Sequence, residues 1–132
     1  MNEKTLLITG GSRGIGRAAA LAAAREGWSV AINYARDAAA AAAVVEAIRA
    51  QGGEAIAVKG DVSVEADVLA MFDAAAKLGP LRGVVVNAGV VAPAAPLVEM
   101  SAERMREIFE INTLGSYLTA REAARRLSTR LG

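Results

Sequence analysis

Residues 5–16 read TLLITGGSRGIG: an apolar run stops at Thr9, and Gly10, Gly11, Gly14 and Gly16 follow within seven positions. Glycine allows a sharp turn and close approach to the backbone. Where such a turn opens a helix, the free N–H groups and the helix dipole favour an anion, typically a phosphate. Two phosphate turns compete for this spacing. A nucleoside-triphosphate loop needs G-x-x-x-x-G-K-[ST]. Gly11 to Gly16 has that spacing, but Arg17 and Ala18 follow. The lysine and the Mg²⁺-binding hydroxyl are both missing, which excludes that chemistry. A dinucleotide-binding turn remains.

Composition narrows the rest. The 132 residues contain neither cysteine nor histidine. Disulfides, thiolate or imidazole metal sites, a Cys nucleophile and His-based triads are therefore excluded, and no metal site is expected. Asp, Glu, Lys and Tyr are left for acid–base work. Fifteen basic residues against fourteen acidic leave a net charge of +1, too balanced for a nucleic-acid or anionic-membrane partner. With 54% hydrophobic residues the chain has enough for one core and one domain, taken as 1–132. The apolar stretch before Gly10 is too brief for a signal peptide, and no run approaches the ~20 residues of a membrane span. A cytoplasmic location is the expectation.

The elements that must position the turn follow from pattern. Strands are predicted at Thr5–Thr9, Trp28–Tyr34, 54–61 and 81–89. Helices are predicted from Gly14 to Gly27, from Ala35 to Gly53, from Ser63 to Gly79 with Ser63 as N-cap, and from Ser101 towards Leu127. Alternating strands and helices give an α/β protein with a parallel sheet covered on both faces. Uninterrupted apolar runs such as GVVVN suit strands buried on both sides.

Four ordered matches carry a resemblance. Thr9-Gly10-x-x-x-Gly14-x-Gly16 resembles the TGxxxGxG turn of the short-chain dehydrogenase/reductase family. GDVS places Asp61 and Val62 at the end of strand three, where that family meets the adenine ring. Asn87-Ala88-Gly89 ends strand four, where the family has Asn-Asn-Ala-Gly; Val86 replaces the first Asn, a change that bears on local packing. Asn112 lies in the long helix, where the family has an active-site Asn.

The resemblance implies a Rossmann-type three-layer αβα fold with strand order 3-2-1-4. It also implies an NADP(H)- or NAD(H)-dependent oxidoreductase that passes a hydride between nicotinamide and an alcohol or carbonyl substrate. The cofactor residues it implies are Thr9, Gly10, Ser12, Arg13, Gly14, Ile15, Gly16, Tyr34, Arg36, Asp61, Val62, Asn87, Ala88 and Gly89, with Asn112 catalytic. NAD-binding members carry an acidic residue at the end of strand two for the ribose 2′-OH. Tyr34 stands there instead, with Asp37 three residues on and expected inside the helix. Arg13 and Arg36 occupy places where basic residues favour a 2′-phosphate, which suits the guanidinium fork. NADP(H) is therefore expected over NAD(H).

The family's Tyr-x-x-x-Lys pair is absent: Tyr34 is followed four on by Ala38, and Tyr117 by Arg121. SYLTAR, with its serine, tyrosine and cation, is a decoy. It shares a helix with Asn112, arginine does not give up its proton, and Tyr117 is expected to pack. Family members run to about twice this length, so the expectation is the cofactor-binding half of a doubly wound fold. A catalytically silent dinucleotide-binding module and a non-binding structural fragment are the alternatives. Strand four then becomes an edge, and Met105, Ile108, Ile111, Leu114 and Leu118 are expected to be exposed, which predicts self-association.

Overall fold

The computed structural model describes residues 4–130, so both ends of the 1–132 span lie outside the described residues. Four parallel strands, β1 (Thr5–Ile8), β2 (Ser29–Tyr34), β3 (Ala55–Lys59) and β4 (Leu81–Val85), form one sheet in the order β3-β2-β1-β4. The predicted α/β class and strand order are both found. The helices α1 (Gly14–Arg25), α2 (Ala38–Ala50), α3 (Glu65–Leu78), α4 (Ala102–Phe109) and α5 (Gly115–Leu127) complete the chain, with a short 3-10 turn at Leu97–Glu99.

Side-chain alternation along the central strands builds two cores. Ile8, Val30 and Ile32 face α1 and α2, where Ala20, Ala41, Val44 and Ile48 meet them. Leu7 and Ala31 face the other way, onto Val68, Met71, Phe72 and Ala75 of α3. Both faces of β1 and β2 are thus covered, and their polar members Thr5, Ser29 and Asn33 are buried with the apolar ones. Each fully buried Leu, Ile or Phe side chain contributes about 1.5–3 kcal/mol. Of the alanine run 38–43 only Ala41 is buried in this core, with Ala20 its counterpart from α1; most of the run faces solvent.

Glycines end two of the helices as expected. Gly27 (φ 88) closes α1: its N–H bonds Ala24 O at 3.1 Å and the Trp28 N–H bonds Ala23 O at 3.1 Å. Gly52 and Gly53 repeat this pattern on Arg49 and Ile48.

Three local expectations change. Ser63 does not cap α3. The Asp61 carboxylate at the end of β3 takes both its N–H (2.9 Å) and its hydroxyl (2.7 Å), and the helix starts at Glu65 after Val64. The long helix from Ser101 is interrupted. Ser101 does cap it, accepting from Arg104 N at 3.1 Å, but a π turn at Glu110–Leu114 separates α4 from α5 while the backbone stays helical. Its apolar stripe is mostly covered: Ile111 and Leu118 pack on the α3 side, Met105 and Ile108 are half-buried, and only Leu114 of the five is exposed. Their three- and four-residue spacing puts them on one helix face, against α3 and the preceding loop. Phe109 is the larger exposed group, at 67%. β4 pairs with β1 alone, an edge among the described residues. Also among the described residues, no helix is long and apolar enough to cross a membrane.

Candidate functional site

The carboxyl ends of all four strands are tied together by two asparagines and a threonine. Thr9 is fully buried, and its Oγ1 accepts from the amides of Asn87 and Ala88, both at 2.9 Å. The Asn87 side chain returns the contact, donating to Thr9 O (3.1 Å) and Gly10 O (3.0 Å). Asn33, 2% exposed inside β2, accepts from Gly10 N at 3.1 Å through Oδ1. Its Nδ2 donates to Gly60 O (3.1 Å) and Val58 O (3.3 Å). Pattern reading passed over Asn33; the signal was a lone amide within the apolar AINY. A buried polar group persists when its bonds are filled, and here they fasten the glycine turn to the end of β3.

The turn itself is backbone. Gly10 (φ 63) and Gly14 (φ 54) adopt left-handed conformations. Gly16 is buried because it must be bare: a Cβ there would lie 2.4 Å from Gly10 O and 2.5 Å from Asn87 Nδ2. α1 begins without a side-chain cap and with no acidic residue in its first turn, whereas Asp37 caps α2 and Ser101 caps α4. Its first closing bond is Arg17 N to Arg13 O, at 3.1 Å. The Gly14, Ile15 and Gly16 amides precede that bond and have no intrahelical acceptor. The Ile15 side chain is 81% exposed, so its place in the turn serves the backbone. The result is a bare helix N-terminus suited to an anion.

Beside it lies a cleft of about 350 Å³. Gly10, Ser12, Arg13, Arg36, Asp61, Val62, Ala88 and Gly89 line it, bringing together residues expected to act together. Thr9, Gly14, Ile15, Gly16 and Asn87 shape the turn behind it. Tyr34 does not line the cleft; its ring packs on the α1/α2 core, and Ala35 takes the lining position. Asp61 is exposed, with Oδ1 engaged by Ser63 and its own N–H donated to Asp67 Oδ2 at 2.9 Å.

Asp37 departs most from expectation. It stands outside α2 as its N-cap, Oδ1 accepting from Ala40 N at 2.9 Å, since its carboxylate satisfies an amide at the helix start. Its Oδ2 pairs with Arg13 across the cleft. A carboxylate thus does reach this cleft, although none stands at Tyr34. The Ala40 amide, and then the Arg13 guanidinium, hold the Asp37 carboxyl below the usual carboxylate range. Arg36 makes no ion pair or hydrogen bond among the described residues.

Asn112 sits in the π turn, and both ends of its amide bind one residue. Oδ1 accepts from Val90 N at 2.7 Å, and Nδ2 donates to Val90 O at 2.8 Å. The side chain therefore clamps the segment after Asn87-Ala88-Gly89. Gly89 fits beneath it, since a Cβ there would lie 3.2 Å from Asn112 Oδ1. Gly115 brings the helix onto Val62, where a Cβ would meet Val62 Cγ2 at 2.6 Å. Val90 also borders a second, apolar hollow of about 420 Å³ with Leu97, Met105, Ile108 and Phe109. Tyr117 does not pack: it is 73% exposed, because Gly115, Thr119 and Glu122 form the buried face of α5 and position 117 lies opposite. Arg121 pairs with Glu65 instead.

Comparison with known proteins agrees with this geometry. A short chain dehydrogenase family model matches residues 4–132. An uncharacterized oxidoreductase, YgfF, of Escherichia coli K12 is 41% identical over 127 residues, covering 96% of this chain and 51% of its own. Elsinochrome reductase 1 of Elsinoe fawcettii is 43% identical over 129 residues, covering 97% and 48%. The crystal structure of a dehydrogenase/reductase from Sinorhizobium meliloti 1021 superposes with a TM-score of 0.90 at 35% identity, over 96% of this chain and 50% of that one. The chain spans about half the length of the curated relatives it matches. With its glycine turn, strand order and family match in agreement, the chain belongs to the short-chain dehydrogenase family.

Proposed function

We propose that this chain is an NADP(H)-binding unit of an oxidoreductase, with the pyrophosphate held on the N-terminus of α1. The observation that carries the reading is the uncapped, acid-free first turn of α1 beside a cleft holding Arg13 and Arg36. The amides of Gly14, Ile15 and Gly16, with Ser12, would hold the pyrophosphate. Arg13 and Arg36 would meet the 2′-phosphate, Asp61 and Val62 the adenine, and Ala88 and Gly89 the nicotinamide half. When bound, the nicotinamide supplies or accepts a hydride. The chain's own part is to bind and orient: Thr9, Asn33 and Asn87 fix the turn, and Asn112 fixes the segment beside it. NAD(H) fits the same cradle with fewer contacts.

The wider protein's reaction would be reduction of a carbonyl or oxidation of an alcohol, as the names of its relatives suggest. The apolar segment 90–100 would supply one wall for such a substrate. Within this chain a second reading, cofactor binding without turnover, is favoured by a specific observation. Tyr117 is exposed and Arg121 is engaged by Glu65, so SYLTAR offers no proton relay. Exposed Phe109, Leu114 and Tyr117 on one helical rod, together with the β4 edge, support self-association. Light scattering at micromolar concentration should then show a dimer or larger, and a monodisperse monomer would count against it. No nucleic-acid or membrane partner is proposed, and the unit would work in the cytoplasm.

Fluorescence titration with NADPH, NADH and ATP tests the assignment. NADPH should bind most tightly and without turnover, and Arg13→Ala should weaken NADPH about tenfold while changing NADH less than twofold, the size of one charge-assisted contact. Absence of binding by any of the three nucleotides would sink it.

A further inference from the structure

The Arg13–Asp37 pair spans the side of the cleft where a 2′-phosphate would sit, and it joins the starts of α1 and α2. Arg13 is the N-cap position of α1, and Asp37 is the N-cap of α2. The two caps behave differently. Asp37 Oδ1 caps its own helix through Ala40 N, leaving Oδ2 free to engage the guanidinium; Arg13 gives its helix no side-chain cap. The pair is open to solvent, with side-chain exposures of 73% for Arg13 and 39% for Asp37. Exposed pairs of this kind are weak and exchange partners readily. A phosphate monoester carries close to two negative charges and suits the guanidinium fork, so it competes with a single carboxylate for the same donors. The carboxylate does not leave the cleft when it loses, because Ala40 N still holds its other oxygen. It stays as a fixed negative charge beside the phosphate. Four charged residues line the cleft, Arg13, Arg36, Asp37 and Asp61, so their formal charges cancel, and Arg36 alone of the four lacks a partner among the described residues.

We propose that Asp37 is a specificity-determining residue, a counter-charge that occupies Arg13 and limits how strongly the cleft prefers a 2′-phosphorylated dinucleotide over its unphosphorylated form. This rests on the NADP(H) reading above. It adds that the preference is held down by a residue of the chain itself, and that NADH remains a usable ligand because Arg13 is pre-neutralised.

The test removes the charge and keeps the cap. Asp37→Ser and Asp37→Asn both retain an oxygen able to accept from Ala40 N, and an unchanged far-ultraviolet circular dichroism spectrum would verify that α2 is intact. Binding is measured by titration of the whole chain with NADPH and NADH, and with adenosine 2′,5′-bisphosphate and 5′-AMP, which isolate the adenosine end. The NADPH/NADH affinity ratio should rise about two- to fivefold in both variants, the size of freeing one exposed ion pair. The bisphosphate/AMP ratio should rise in parallel, and the gain should shrink in 0.5 M salt. In an Arg13→Ala background the same substitution should give a clearly smaller gain, because the cation it frees is gone. Ratios within twofold of the parent would overturn the proposal, as would an equal gain with and without Arg13, which would mean general repulsion and not competition for Arg13. If the parent chain bound NADPH no better than NADH, or neither at all, the NADP(H) reading would fail first and this inference with it.

Discussion

Gly16→Ala should be the most damaging single methyl in the turn. The new Cβ would lie 2.4 Å from Gly10 O, 2.5 Å from Asn87 Nδ2 and 3.0 Å from Gly10 C. Ordinary contact begins about 1 Å farther out, and neither neighbour is free to retreat. Gly10 is held by Asn33 at its N–H and by Asn87 at its carbonyl. Overpacking of this kind costs about 1–3 kcal/mol. Swinging the Asn87 amide aside gives up its bonds to Thr9 O and Gly10 O, each about 0.5–1.5 kcal/mol. The better helix propensity of alanine returns about 1 kcal/mol. The net is about 3 kcal/mol at the midpoint of these ranges, a fall in melting temperature of roughly 9–15 °C for a domain of this size. Because the shift displaces the first amides of α1, NADPH affinity should drop at least about tenfold. Gly14→Ala is the internal control. Nothing lies within 4 Å of its Cβ, but its φ of 54° penalises any side chain by about 1–2 kcal/mol. Thermal denaturation and NADPH titration of both variants check the ranking. A Gly16→Ala protein that melts within about 2 °C of the parent and binds NADPH equally would refute the packing reasoning.

Other outcomes follow from the same contacts. Thr9→Val keeps the shape but strands the Asn87 and Ala88 amides, and urea unfolding should show a loss of about 2–4 kcal/mol. Asn112→Ala should leave the fold standing while hydrogen exchange at the Val90 amide quickens by about tenfold or more, as expected of a locally opened segment. The Asp37 carboxyl is held below its unfolded value, first by the Ala40 amide and then by Arg13. Its contribution to stability is therefore present above the unfolded pKa and lost as pH falls through the folded one. Acid titration should show parent and Asp37→Asn converging in stability below the carboxylate range and diverging above it, with NMR of the Asp37 carboxyl reporting the depressed pKa.

The strands and helices were legible because their signals are local. Apolar runs beside a glycine mark β1, which Gly10 follows, and β2, which Gly27 precedes, and Gly27 and Gly52 end α1 and α2 through bonds to their own last turns. The turn was legible for the same reason, since its spacing is a backbone requirement. What escaped depends on partners far along the chain. The Thr9–Asn87 and Asn33–Gly60 bonds join residues 78 and 27 positions apart. No periodicity marks the π turn that holds Asn112, nor the clamp of its amide on Val90. Ser63 and Asp37 were misplaced by one turn's chemistry: in each case a neighbouring aspartate or its own carboxylate won the local amide. Tyr117 was misjudged by type, since an aromatic residue on the far face of α5 finds no core to enter.

The most direct test follows the backbone amides of the ¹⁵N-labelled chain by NMR as NADP⁺ is added, with NAD⁺ as comparison. Saturable shifts should concentrate at Gly10 to Gly16, at Asp61 and Val62, and at Ala88 and Gly89, with the Arg13 and Arg36 signals moving more for NADP⁺ than for NAD⁺. Silence at the start of α1, or shifts confined to the apolar hollow by Leu97 and Phe109, would contradict a dinucleotide cradle in this turn.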